Sequence, residues 1–316
     1  MKIVIPGGSG QVGQILARAF VKDGHDAVIL TRQPVTRGVG RSVFWDGMTL
    51  GDWAEEFEDA DVVVNLAGKS VNCRYNAWNR KEITRSRVDS TQVVGQAIAR
   101  AQRPPRLWLQ AATATIYAHR YDAANDEVSG IIGGDEEKVP ETWRFSVGVA
   151  KAWEQAFNQA LPTPNTRKIL MRSALILSPD RGGVFDVLIG LVRHGLGGRM
   201  GDGRQYVSWI HDADFIRAID WLISHENFEG IVNLASPNPV PNAEFMRVLR
   251  KAWGTKAGLP AWNWMLEIAT FFMRTETELV LKSRRVIPGR LLQDGFEFQL
   301  PDWNEAALDL CRRCKT

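Results

Sequence analysis

The sequence predicts an α/β fold: a parallel sheet covered by helices on both faces, followed by a smaller mixed region. Three observations carry this. Short apolar runs alternate with helical patterns over the first two-thirds of the chain. Asp-Val-Val-Val-Asn-Leu at 61–66 and Leu-Trp-Leu-Gln-Ala at 107–111 read as strands buried on both faces, the signature of a parallel sheet. The opening strand runs at once into a glycine-rich turn and then into a helical pattern.

In chain order, the first strand is Lys2 to Pro6, and a turn with glycines at 7, 10 and 13 follows. The helix over 12–22 shows its period in Val12, Ile15, Leu16, Ala19 and Phe20. Strands are expected at 26–31, 41–45, 61–65, 106–111, 168–175 and 230–234. Helices are expected near 50–58, 77–102, 142–160 and 212–224. After residue 235 the character changes: Pro237, Pro239 and Pro241 punctuate a loop. Helical stretches near 242–253 and 261–273 follow, then the runs 279–288 and 295–298, and a last helix near 304–314. This divides the chain into residues 1–175 with 206–235, and 176–205 with 236–316. No internal repeat interrupts it.

Bulk properties narrow the class. The chain has 316 residues, 45% of them apolar and 24% charged, an ordinary globular composition. A net charge of +3 is too small to argue for nucleic acid or a membrane surface. No stretch approaches the ~20 apolar residues of a membrane span. The first strand begins at residue 2, which leaves no room for a signal peptide. Cys73, Cys311 and Cys314 are an odd number in a long chain, which fits a reducing cytoplasm and not a disulfide framework. Cys311 and Cys314 have CxxC spacing but no second pair of ligands, so no metal site is expected.

Strand, Gly7-x-x-Gly10-x-x-Gly13 and helix make the local geometry that cradles a pyrophosphate. Gly7 permits the turn, Gly10 lets the backbone approach the phosphates, and Gly13 lets the helix pack on the strand. The first helical residues, Gln11 and Val12, offer free N–H groups and the positive end of the helix dipole. The bound group is therefore a dinucleotide, and the sheet is of the Rossmann type, doubly wound, with a smaller mixed α/β C-terminal substrate domain. Strand 26–31 ends at Thr31-Arg32, where an NAD site places an acid on the ribose. No Asp or Glu stands between Asp26 and Asp46; Arg32, Arg37 and Arg41 stand there instead. A guanidinium suits a 2′-phosphate, so NADP is the expected cofactor. Asn65-Leu66-Ala67-Gly68 closes the fourth strand with small residues, leaving room for the cofactor to cross the backbone.

Taken together, Gly7-x-x-Gly10-x-x-Gly13, Asn65-Leu-Ala-Gly68 and Gln110-Ala-Ala-Thr113-Ala-Thr-Ile-Tyr117 resemble the extended short-chain dehydrogenase/reductase superfamily, the NAD(P)-dependent epimerase/dehydratases. Further stretches resemble an atypical sugar-nucleotide epimerase-like branch with its own C-terminal domain: Arg85-Ser-Arg87, Trp153-Glu154, Gly201-Asp-Gly-Arg-Gln205, Ser208 to Asp214, Arg285-Val-Ile-Pro288 and Gly295-Phe-Glu-Phe298. The resemblance implies a Tyr-x-x-x-Lys pair as acid/base and a Ser or Thr on the fifth strand. Thr113 fits the latter. Ser146 and Ala150 stand at the other two positions, and Lys151 is one residue off, about 100° around the helix. None of the four tyrosines precedes a lysine at this spacing.

Tyr117 is then the first substitute for the missing acid, with His119 and Lys69 behind it. His211 is expected to be structural, with Asp212 capping the helix that follows. Arg87 could face the substrate, and Arg193, Arg199 and Arg204 could hold an anion. Two functions follow: an NADP-dependent oxidoreductase or epimerase for a small hydroxyl or carbonyl substrate, sugar-nucleotide-like in one version, or a non-catalytic NADP(H)-binding sensor. Many relatives pair through the 77–102 and 142–160 helices; here these carry Arg85, Arg87, Arg100, Arg103 and Lys151, which favours a monomer or weak homodimer.

Overall fold

The computed structural model describes residues 1–33, 38–161, 165–262 and 276–315. Seven strands form one sheet: β1 (Lys2–Pro6), β2 (Asp26–Thr31), β3 (Arg41–Phe44), β4 (Val62–Asn65), β5 (Leu107–Thr113), β6 (Arg167–Ser173) and β10 (Gly230–Leu234). Their order is β10-β6-β5-β4-β1-β2-β3, and every pairing is parallel. The order reverses between β1 and β4, and the carboxyl ends of these strands open the crevice in which such sheets bind ligands.

Alternation within the strands buries both faces. Ile3, Ile5, Val62, Val64, Leu107 and Leu109 point one way, against helices α1 (Gln11–Lys22) and α5 (Asp212–Ser224). Val4, Val28, Leu30, Val63 and Trp108 point the other way, against α2 (Ala77–Arg100) and α3 (Glu141–Asn158). Each such aliphatic side chain contributes about 1.5–3 kcal/mol. A third cluster gathers α4 (Val184–Arg193), α6 (Asn242–Trp253) and the helix Trp303–Arg313 around Phe185, Trp209, Phe245 and Trp303. Phe245 and Trp303 stack there at 4.0 Å.

Three expectations change. The helix near 50–58 is a 3-10 helix, Asp52–Phe57. Its six residues connect to β4 by a few more, and Trp53 locks it by edge contacts to Trp45 and Phe57. The single strand expected at 168–175 is two. β6 ends at Ser173, and β7 (Leu175–Leu177) joins β9 (Trp209–His211) in a separate two-stranded sheet. Ala174 marks the crossing: its N–H bonds Leu234 of the large sheet, and the next N–H bonds Ser208. Helix α4 was not expected, although Phe185, Ile189 and Val192 carry its period; Gly182-Gly183 before it and Gly195 after it read as loop. Of the helix expected at 261–273, residues 263–273 lie outside the described residues, as does Arg37. Tyr206–Val207 (β8) pairs antiparallel with Val240–Pro241 (β11), beside the third cluster. No helix among the described residues is long and apolar enough to cross a membrane.

Candidate functional site

The glycine turn is shaped by close contact. Gly7 has φ +75°, and a Cβ there would meet the Ala67 backbone at 2.7 Å. The turn and the end of β4 thus lie back to back, fixed by hydrogen bonds from the Gly7 amide to Leu30 and from the Leu66 amide to Pro6, both 2.9 Å. At Gly13 a Cβ would come within 2.4 Å of Gly8 Cα, so α1 touches the turn backbone to backbone. Gly10 is exposed and opens outward, and no side chain caps the N-terminus of α1. An uncapped helix start above a turn that excludes side chains is a cradle fitted to a pyrophosphate.

The expected site residues distribute around this cradle in different ways. Gln11 turns sideways: its Nε2 donates to Asp180 O at 3.3 Å, and its amide packs on Gly183 at the start of α4. Val12 and Leu66 pack on the core. Thr31 exchanges hydrogen bonds with Gln33 and so shapes the loop after β2, leaving Arg32 exposed. Arg41 is engaged elsewhere, in a two-pronged pair with Glu56. Asn65 is fully buried, donates to Gln110 and accepts from the Ala67 amide, and so folds the strand end. Gly68 is exposed at that end.

Thr113 ends β5, half-buried, and its oxygen accepts from the Thr115 amide. Tyr117, expected as the acid, requires correction. Its ring is 2% exposed; its hydroxyl donates to Asn233 Oδ1 at 2.9 Å and accepts from Arg172 at 3.0 Å. Arg172 in turn forms a two-pronged buried pair with Glu154. The phenol braces β6, β10 and α3 and has no free proton to offer. The other expected candidates are also occupied. Lys69 lies over the Trp78 ring. His119 accepts the Ser283 amide proton at Nδ1, and burial holds its pKa low. His211 itself, and not Asp212, is the N-cap of α5, bonding the Ala213 amide; Asp212 pairs with Arg313. Arg193, Arg199 and Arg204 lie on Trp253, Trp262 and Tyr121. Lys151 faces outward to Asp135. Cys311 is buried in the last helix and Cys314 ends it, both as thiols.

A different polar cluster fills the place of the missing pair. Ser146 on α3 donates to Glu278 and lies 3.5 Å from the hydroxyl of Tyr75, which comes from the loop after β4. Glu278 is fully buried, and burial raises its pKa; its Oε1 accepts no hydrogen bond among the described residues. Arg284 stands 3.7 Å from that oxygen and donates to the Thr115 hydroxyl. Lys282 is buried and donates to Thr115 O, and burial lowers its pKa to about 8. Burial raises the Tyr75 phenol to about 12. Sequence reasoning missed Tyr75, Glu278, Lys282 and Arg284. The one signal for the last two was the group of three cations, Lys282, Arg284 and Arg285, inside the apolar run 279–288.

Comparison with known proteins agrees with this geometry. Residues 3–235 match the model of the NAD dependent epimerase/dehydratase family, and residues 263–310 match a domain of unknown function, DUF1731. The chain is similar to the crystal structure of human epimerase family protein SDR39U1 with NADPH, with a TM-score of 0.85 and 28% identity over 99% of both chains. It is 30% identical to the Bos taurus protein of the same name, over 97% of this chain and 98% of that one. The fold also matches UDP-N-acetylglucosamine 4-epimerase from Bacillus cereus, with a TM-score of 0.74 and 16% identity over 100% of this chain and 96% of that one. With the glycine cradle, the parallel sheet and a match over most of its length, the chain belongs to the NAD dependent epimerase/dehydratase family.

Proposed function

We propose that this protein is an NADP(H)-dependent oxidoreductase or epimerase acting on a small hydroxyl or carbonyl substrate. The observation that carries the reading is the uncapped start of α1 above the Gly7–Gly13 turn, with exposed Arg32 at the neighbouring strand end. The NADPH in the human SDR39U1 structure supports the choice of cofactor. Gly7, Gly10, Gln11, Val12 and Gly13 would hold the pyrophosphate, Thr31 and Arg32 the adenosine ribose with its 2′-phosphate, and Asn65 to Gly68 the path across β4. When bound, the nicotinamide donates or accepts hydride. In this reading residues 1–175 with 206–235 carry the cofactor, and 176–205 with 236–316 close the substrate side. A cytoplasmic location and a monomer or weak homodimer complete the proposal.

This chain's own residues supply the proton chemistry. Thr113 orients the substrate oxygen at the end of β5. Tyr75 gives its phenolic proton to the alkoxide and recovers one from water once the product leaves; Ser146, which donates to Glu278 and lies 3.5 Å from the phenol, holds Tyr75 in place. General acid catalysis of this kind contributes about 10²–10⁴-fold. With a carbonyl compound that oxidises NADPH, Tyr75→Phe should lower kcat by that factor and leave NADPH affinity unchanged. Undiminished turnover removes Tyr75 from the chemistry.

A second reading, an NADP(H)-binding sensor without turnover, is favoured by Ser146 and Ala150 at the Tyr and Lys positions. No loss of NADPH absorbance with any compound of a carbonyl panel would support it. The binding half of the proposal is tested by titration. NADPH should bind at micromolar concentration and NADH much more weakly. Arg32→Ala should weaken NADPH roughly ten- to a hundredfold, the worth of a charge-assisted contact, with little effect on NADH. Equal losses for both would defeat the 2′-phosphate assignment.

A further inference from the structure

We propose that the surface beside Gly68, at the end of β4, recognises a substrate with an anionic group, a carboxylate or a phosphate, through Arg87. The inference rests on the enzyme reading above and adds the substrate class. Arg87 is held rigidly by groups that carry no negative charge. Its Nη1 donates to Lys69 O and Ile83 O, both at 3.0 Å. Its guanidinium lies 4.9 Å over the Trp153 ring and against exposed Gly68, where a Cβ would stand 3.3 Å from its Cζ. Among the described residues no carboxylate pairs with Arg87. Its titratable neighbours are instead Tyr75 and Cys73, both raised by burial, and burial brings its own pKa down to about 10.

Tyr75 joins Arg87 to the rest of the cluster, which is also rich in cations. Lys282 is buried with a carbonyl as its hydrogen-bond acceptor, and Arg284 shares the carboxylate of Glu278 with Ser146. Glu276 is taken by Arg74 and by the Tyr75 amide. Glu278 and Glu136 face Lys282 and Glu278 faces Arg284, whereas no carboxylate of the described residues pairs with Arg87. Cations desolvated without counter-charges are costly, by several kcal/mol each. Such groups concentrate where a ligand completes them. A guanidinium whose hydrogen bonds among the described residues all use one nitrogen, packed beside an exposed glycine, suits two-pronged binding of a carboxylate or phosphate.

The test begins with the NADPH complex of the full chain. Inorganic phosphate, pyruvate and uncharged acetone are titrated into it and followed by calorimetry and NADPH fluorescence. Phosphate or pyruvate should bind and acetone should not; which anion binds tells the two groups apart. Arg87→Met should weaken anion binding at least about tenfold, with NADPH affinity unchanged. Arg87→Lys should fall between, having charge without the planar fork. Lys282→Met provides a second variant should Arg87→Met not fold, with the same direction of effect. The inference is overturned if neither anion binds the NADPH complex, or if Arg87→Met, or Lys282→Met where Arg87→Met does not fold, binds anions as the parent does. It is also overturned if Arg87→Met weakens NADPH itself, since Arg87 would then be a cofactor ligand. Failure of the unaltered protein to bind NADPH would fell the enzyme reading first, and this inference with it.

Discussion

Gly13→Ala is expected to abolish measurable NADPH binding and to lower the melting temperature by several degrees. The methyl group would stand 2.4–2.6 Å from the Cα, oxygen and carbonyl carbon of Gly8. None of these is the movable end of a side chain, so α1 must shift away from the turn. Overpacking of this sort costs about 1–3 kcal/mol. The larger effect is on binding, because the same shift moves the first N–H groups of α1, and oriented donors act only at hydrogen-bond distance. Gly10→Ala is the control: its methyl would find only Gly7 O, at 3.6 Å, so the fold should keep its stability while the phosphate approach narrows. Tryptophan-to-NADPH energy transfer and a thermal melt read the two effects separately. Normal NADPH affinity in Gly13→Ala would show that the turn is not where the cofactor binds.

Glu154→Ala is expected to destabilise the fold by about 3–5 kcal/mol, the cost of removing one partner from a buried pair. Arg172 and Glu154 are 7% and 10% exposed in their side chains, with both nitrogen–oxygen contacts at 2.7 Å. Without the carboxylate, the Arg172 charge would retain only the Tyr117 hydroxyl and the face of its ring, 5.1 Å away. The double substitution Glu154→Ala with Arg172→Met should recover much of the loss, since no charge is then left stranded. Urea denaturation with unchanged m-values is the measurement. A loss below about 1 kcal/mol would mean that water reaches Arg172, and the pair would then be no brace. The same network engages Tyr117 in a way its sequence position does not reveal. Its place four residues past Thr113 suggests a cofactor-side phenol, but Asn233 and Arg172 stand 116 and 55 residues away in sequence.

What the sequence determined by itself is the part governed by local rules. Ile3, Val4 and Ile5, or Val62, Val63 and Val64, bury both strand faces wherever they stand. The spacing of Gly7, Gly10 and Gly13 permits the turn, and Ile15, Leu16 and Phe20 put α1 on the sheet through backbone geometry alone. The strand order and the crevice at the end of β1 follow from these with the handedness of parallel connections. Tertiary structure alone decided which polar groups meet. Ser146 finds Glu278 across 132 residues, Lys282 finds Thr115 across 167, and Arg284 reaches the hydroxyl of that threonine across 169. No periodicity encodes such pairs. Each depends on where two distant backbones are carried by the packing of apolar side chains, and a buried polar group then settles on whatever partner that packing brings within hydrogen-bond reach.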